Sequence, residues 1–457
     1  MPERVSRGWV MLAVAVFVSL VVAEYQGPII AIAVAMASVC GAVVCSRGLP
    51  APGFPAAGLW LVGILVLGLG SAVVADVGTG QTILEIDLER DLGISLSYLL
   101  YFVVGVYFAY SRRTLRILLI AVLAAGLLIS VVHLVRLSEV LASGVTDLYL
   151  FRLEAGRGSV TQFAALCATL LLLRDYVDKA HRRLIIGCST VLVVSMLMTL
   201  SRGLMFLLII LALGVTGLVA GRLNRLTVNL PRLLVTAAAA AAVVLGTYVL
   251  LRIFLPAVYA FIDEFFLSRV VNSVTEVSGT KLETRNQIAD NYRAFELNQT
   301  MRQFEAQSGM IQWIGQGWGS RVDFGFETAS TKSAFSRTAA SFLHNGYAYF
   351  LLKTGILGVI LYAGFMVHLV ARAVFSSCWP PAPFALTQRK VLIVCVVGLA
   401  VGTVTTGGLG FPATHFGLVV LLGACYGPAW KPESTSGAEG QRVDAVLSGP
   451  GKRLRRV

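Results

Sequence analysis

The feature that most constrains this chain is a recurrence of apolar runs. Each is about 17–25 residues long, the length a helix needs to cross a bilayer. They fall at 8–24, 28–46, 57–75, 93–111, 114–135, 160–174, 184–201, 203–221, 233–254, 346–373, 390–408 and 414–429. That makes about twelve spans, the sixth short and starting at the edge of the preceding loop. Hydrophobic residues make up 57% of the chain and charged ones only 13%, where a soluble domain carries about 25% charged. Mean hydropathy is +0.79. The expected fold class is therefore an all-α polytopic membrane protein.

Charge orients the spans. The net charge of +13 is spread among short loops rather than gathered on one face, which argues against a nucleic-acid partner. Cationic loops belong on the cytoplasmic side. With the N-terminus inside, that side receives Arg47, then Arg112, Arg113 and Arg116, then Arg174, Lys179, Arg182 and Arg183. It also receives Arg222, Arg225 and Arg232, then Arg372, Arg389 and Lys390, and the basic end of the tail. The opposite side receives the acidic loop around Asp76, Glu85, Asp87 and Glu89, and a mixed loop with Arg136, Arg152, Arg157, Glu139, Asp147 and Glu154. Both termini are expected in the cytoplasm and the long polar stretch outside, which in a bacterium means the periplasm.

One stretch breaks the apolar pattern. Residues 255–343 carry charge at soluble density, and a connection of about 90 residues is far longer than usual and tends to be functional. The organisation expected is spans 1–9 over 1–254, a large periplasmic loop subdomain over 255–343, spans 10–12 over 344–429, and a disordered cytoplasmic tail over 430–457, rich in Ser, Gly and Pro. The seven cysteines lie outside that loop, with neither CxxC nor zinc spacing, so the loop is not stapled by disulfides. The run Trp9–Ala23 follows Arg4 and Arg7 like a signal peptide, but it lacks a small-residue cleavage site before Glu24 and reads as a retained span.

Chemistry-bearing residues on the outer side form three groups. Arg202, in Thr199-Leu200-Ser201-Arg202-Gly203, stands between two apolar runs. An arginine there is either a functional cation or a snorkelling residue at a span end. Arg285 closes Lys281-Leu282-Glu283-Thr284-Arg285, ahead of an amphipathic helix with Ile288, Tyr292 and Phe295 on one face. It is either a site residue or a solvated partner of Glu283. His344, followed by Asn345, Gly346 and Tyr347, stands where the polar loop re-enters the membrane. It is either a general base or a satisfied structural histidine. Arg152 and Arg157 could add positive charge to the same face. The turn Gly315-Gln316-Gly317-Trp318-Gly319-Ser320 lacks nucleotide-loop context and reads as a backbone constraint. His133 and His368 read as packing residues, His415 is ambiguous, and His181 is cytoplasmic.

In that order, these pieces resemble the O-antigen ligase and polymerase superfamily, bacterial membrane glycosyltransferases that use polyprenyl-diphosphate-linked glycans. The resemblance rests on Ser201-Arg202-Gly203, the outer loop with its early Arg, the glycine-rich turn, and His344-Asn345 followed by Leu351-Leu352-x-x-Gly355-Ile356-x-Gly358. It covers about residues 150–375, and Phe151–Leu172 is similar to the family's entry helix. The chain departs where the family often has an acid before the first glycine of Gly-Ile-x-Gly. Here Thr354 stands there, after Lys353.

The resemblance implies a GT-C-like helical fold, with Arg202 and Arg285 on the diphosphate, His344 as catalytic base and Asn345 as a further candidate. The donor implied is an undecaprenyl-diphosphate-linked glycan, and the acceptor lipid A–core or another glycan. No cofactor is implied. A metal would need paired acids, for which Glu85-Ile86-Asp87-Leu88-Glu89 is the candidate; its alternation suits an amphipathic strand or an interfacial turn equally well. Metal-independent transfer is expected. Two other functions compete: a repeat-unit polymerase for O-antigen or exopolysaccharide, and a transporter of lipid-linked sugars. The transporter would need charged or broken helices at the midplane of both halves, whereas the polar residues here collect in one loop.

Overall fold

A computed structural model describes residues 7–26, 33–34, 36–38, 41, 55–79, 85–143, 159–175, 178–199, 201–215, 252–253, 292–307, 309–328, 337–340, 343–375, 383–406, 408–410 and 415–427. Its helices, in chain order, are α1 (Arg7–Gln26), α2 (Ala56–Thr79), α3 (Glu85–Phe108), α4 (Arg112–Ala142), α5 (Val160–Asp175), α6 (Lys179–Met198) and α7 (Arg202–Val215). Then come α8 (Tyr292–Glu305), α9 (Met310–Ile314), α10 (Gly346–Phe375), α11 (Pro383–Thr406) and α12 (Phe416–Tyr426). Among the described residues, seven helices are long and apolar enough to cross a membrane: α1 to α4, α6, α10 and α11. The chain is a multi-pass helical membrane protein. The expected spans 28–46 and 233–254 lie largely outside the described residues.

Helix α12 is the centre. Every residue from Phe416 to Tyr426 is buried, as befits a helix apolar all round, and it packs on α3, α5 and α11. Its crossing with α3 depends on two glycines. A Cβ on Gly105 would lie 2.0 Å from the Val420 carbonyl oxygen, and one on Gly423 would lie 2.0 Å from that of Phe102. Small residues let the two backbones meet, as they do between helices in lipid, where hydrophobic burial adds little driving force. On the outer faces, Met11, Leu59, Val66, Leu184 and Val367 are exposed, the surface a bundle offers to acyl chains.

Two helices overrun their apolar runs. α3 begins at Glu85, eight residues ahead of its expected span at 93, so Asp87, Arg90 and Asp91 sit on its first two turns. The strand or interfacial turn considered for Glu85–Glu89 is thus a helix start. α4 continues to Ala142, about 46 Å of helix at 1.5 Å per residue against a hydrocarbon core of about 30 Å. Arg136 and Glu139, assigned from sequence to a loop, are on that helix.

The long polar stretch adds a pair of strands to the described helices. β1 (Val322–Thr328) pairs antiparallel with β2 (Arg337–Ala340), Val322 opposite Ala340 and Asp323 opposite Ala339. The cause is local alternation: Val322 and Phe324 are buried while Asp323 is exposed, the two-residue period of a half-buried strand. Phe324 meets Phe295 of α8 with ring centroids 5.7 Å apart.

Candidate active site

The glycine-rich turn is an insertion into the bundle. After α9 ends at Ile314, Gly315, Gly317 and Gly319 all take positive φ, at 82°, 86° and 88°. The backbone N–H groups of Gln316 and Gly317 donate to the carbonyls of Leu352 and Lys353 in α10, each at 2.8 Å. Trp318 donates twice into α2, from its backbone to Gly68 (3.1 Å) and from Nε1 to Leu65 (3.1 Å). The receiving helix is broken to match: Gly355 has φ 63° and ψ −165° inside α10. A Cβ on Gly315 would lie 2.4 Å from the Lys353 carbonyl carbon, and one on Gly355 2.3 Å from the Trp313 carbonyl oxygen. Irregular backbone at membrane depth is tolerated only where protein covers it and pairs its polar groups. The α10 kink and the turn satisfy each other.

A buried ion pair fastens this insertion. Lys353 and Asp91 are both fully buried and form a salt bridge. Asp91 also accepts from Gly319 N–H at 2.8 Å and Tyr349 OH at 3.0 Å, and Lys353 Nζ donates to the Ser320 carbonyl at 2.7 Å. Around it, Asp87 pairs with Arg90 (2.7 Å) and with Arg321. An unshielded charge here would cost several kcal/mol, which pairing and added hydrogen bonds offset. Lys353, the residue before the departure at Thr354, therefore holds the loop to α3.

The same framework positions His344. Glu296 lies on α8, buried beside Phe295. It accepts from the backbone N–H of His344 at 2.8 Å, and its Oε2 lies 3.2 Å from His344 Nδ1. A carboxylate only accepts, so this contact favours the tautomer with its proton on Nδ1. This is the tautomer and anchoring a general base requires. The next residue, Asn345, caps α10: its Oδ1 accepts from the N–H groups of Tyr347 (3.0 Å) and Ala348 (3.2 Å).

Arg202 is the first residue of α7. Ahead of it the Ser201 N–H donates to Thr199 Oγ1 at 3.3 Å, and behind it the Ser201 carbonyl accepts from Met205 N–H at 3.0 Å. α7 packs on α11, as α10 does, so Arg202 begins one, and His344 precedes the other, of two helices that contact the same third helix. Arg285, Arg152 and Arg157 lie outside the described residues. Elsewhere, His133 is buried in α4 against Ser195 Oγ (3.0 Å) and His368 meets Tyr426 OH (3.1 Å). Among the described residues, no group of three or more His, Cys, Asp or Glu side chains could hold a metal ion. Asp87 and Asp91 are both committed to cations.

Glu296 was missed by sequence reading. Its one signal is an acid next to Phe295 on the face that the helical period assigns to the interior.

No curated protein matches the chain. Residues 187–363 match the family model described as O-Antigen ligase, a stretch that contains Arg202, the inserted turn, Glu296, His344 and the kink at Gly355. That match supports placing this segment in the O-antigen ligase and polymerase superfamily.

Proposed function

We propose that the protein is an O-antigen ligase-type inverting glycosyltransferase. It would move a glycan from undecaprenyl diphosphate to a sugar hydroxyl of lipid A–core on the periplasmic face of the bacterial inner membrane. The observation that carries this reading is the anchoring of His344 by Glu296, whose buried carboxyl group meets both the backbone N–H and ring Nδ1; in this proposal Nδ1 holds the proton and Nε2 acts as the base. His344 Nε2 takes the acceptor hydroxyl proton as that oxygen attacks the anomeric carbon. The bond from that carbon to the diphosphate oxygen breaks on the opposite face, inverting the configuration, and undecaprenyl diphosphate departs with its electron pair.

The leaving group needs fixed positive charge. Arg202 and Arg285 are proposed to supply it, since guanidinium forks match phosphate oxygens bidentately. Arg202 also stands at a helix N-terminus, where the macrodipole adds to its charge. Charge fixed in advance stabilises the transition state without reorganisation, and transfer is proposed to be metal-independent.

The test is the glycan pool of a deletion strain. Full-length chains accumulating on the lipid carrier, with none on lipid A–core, support the ligase. Single repeat units accumulating instead assign the protein to the polymerase branch. Unchanged surface glycan with lipid-linked sugar trapped on the cytoplasmic face would indicate transport.

A further inference from the structure

A second cationic feature lies at the other end of the bundle, where α5 ends and α6 begins. A cavity of about 290 Å³ opens there between α5, α6, α7 and α11. Its walls are apolar, from Leu170 and Leu173 of α5 and Val391 and Val394 of α11. Its floor is closed by the contact of α7 with α11: a Cβ on Gly214 would fall 2.2 Å from Val394 Cγ2. Thr387, Arg174, Arg182 and Lys390 add to the lining, with one cation from each of three helices, and none of the described lining residues is acidic.

The nearest carboxylates in sequence are engaged elsewhere. Asp175 accepts from Arg112 Nε at 2.5 Å and from Arg116. Asp178 accepts from Ala180 N–H and pairs with His181 Nδ1 at 2.6 Å. Three cations around one apolar cavity, with no acid among its described lining residues, call for an anion that also carries a hydrocarbon surface. α6 exposes Leu184 and Ile186 within one turn of Arg182, so this edge of the bundle faces acyl chains.

We propose that this cavity binds an anionic phospholipid. Its phosphodiester sits among Arg174, Arg182 and Lys390, and an acyl chain lies along Leu170, Leu173 and Val391. Basic pockets between helices at the cytoplasmic side suit anionic headgroups, and the cationic-loop orientation puts this end there. A bound lipid bridges α5, α6 and α11 and braces α7, which carries Arg202 at its far end. The site stands on the bundle's geometry alone and does not depend on the transferase reading.

The experiment is native mass spectrometry of the purified full-length protein with phosphatidylglycerol or phosphatidylcholine of identical chains. Each cation near a headgroup is worth about fivefold in affinity, so wild type should retain phosphatidylglycerol at least about tenfold better. Arg182→Gln with Lys390→Gln should bring the ratio toward one, while Lys179→Gln with Arg183→Gln, of equal charge change outside the lining, should preserve it. Equal retention of the two lipids by wild type overturns the proposal. So does equal loss in both double variants, which would mean bulk charge. Displacement of the lipid by equimolar glycerol phosphate would also overturn it, because the site would then recognise a soluble phosphate. Should the first pair fail to fold, wild type and Arg174→Gln decide the matter by the same ratio.

Discussion

Glu296 holds His344 at two points, the backbone N–H at 2.8 Å and ring Nδ1 at 3.2 Å, across 48 residues of chain. One carboxyl group thus fixes where the histidine sits and faces Nδ1, which favours the proton on that nitrogen. Glu296→Gln is isosteric but can present its amide NH₂ to Nδ1, favouring the wrong tautomer. Glycan transfer should fall by about 10²-fold, within the range of general base catalysis, at wild-type protein level. Measured rates in proteoliposomes within twofold of wild type would show that Glu296 does not position the base.

The Asp91–Lys353 pair predicts a stability effect rather than a catalytic one. Asp91→Ala strands a buried ammonium and removes the acceptor for Gly319 N–H and Tyr349 OH, which should cost about 3–5 kcal/mol. Adding Lys353→Met to Asp91→Ala removes the stranded charge and should recover part of that loss, so the two changes should be strongly non-additive. Thermal unfolding in detergent, followed by tryptophan fluorescence to which the buried Trp318 contributes, would read the coupling.

Two glycines with positive φ should respond differently to alanine. Gly315 has φ 82° and its new methyl would meet the Lys353 and Thr354 backbone at 2.4 Å, whereas Gly309 has φ 44° with nothing within 4 Å. Gly309→Ala should cost about 1–3 kcal/mol, the conformational penalty alone, because φ 44° with ψ −101° lies in a sparsely populated region. Gly315→Ala should exceed about 3 kcal/mol, because backbone must move. The unfolding midpoints of the two variants would separate these values.

Asn345 should behave as a helix cap. Asn345→Ala removes the acceptor for Tyr347 and Ala348 and should destabilise by about 1 kcal/mol, while Asn345→Asp and Asn345→Ser, both good caps, should retain stability and transfer. Loss of transfer in all three, at normal stability, would move Asn345 from cap to substrate contact.

The residues explain which features sequence could reveal. Apolar runs announce membrane helices because hydropathy is a property of a segment and needs no partner. The glycines at 315, 317 and 319 could be read as a backbone constraint, but not as an insertion, since their partners Leu65, Gly68 and Lys353 are remote in sequence. For the same reason Glu85, Asp87 and Glu89 looked like a loop. Their helix is secured by Arg321, Lys353 and Gly319 from the far side of the chain. His344 and Arg202 stood out as polar residues at membrane borders. Glu296 did not, because its identity as the histidine's partner exists only after α8 folds against the start of α10.

The central claim is that His344 is the base of glycan transfer. Its most direct measurement is the surface and carrier-linked glycan of a deletion strain complemented with wild type or His344→Ala, at matched protein levels. The account predicts that His344→Ala leaves lipid A–core without long glycan while the chain accumulates on undecaprenyl diphosphate. A wild-type glycan pattern from normally expressed His344→Ala would contradict it.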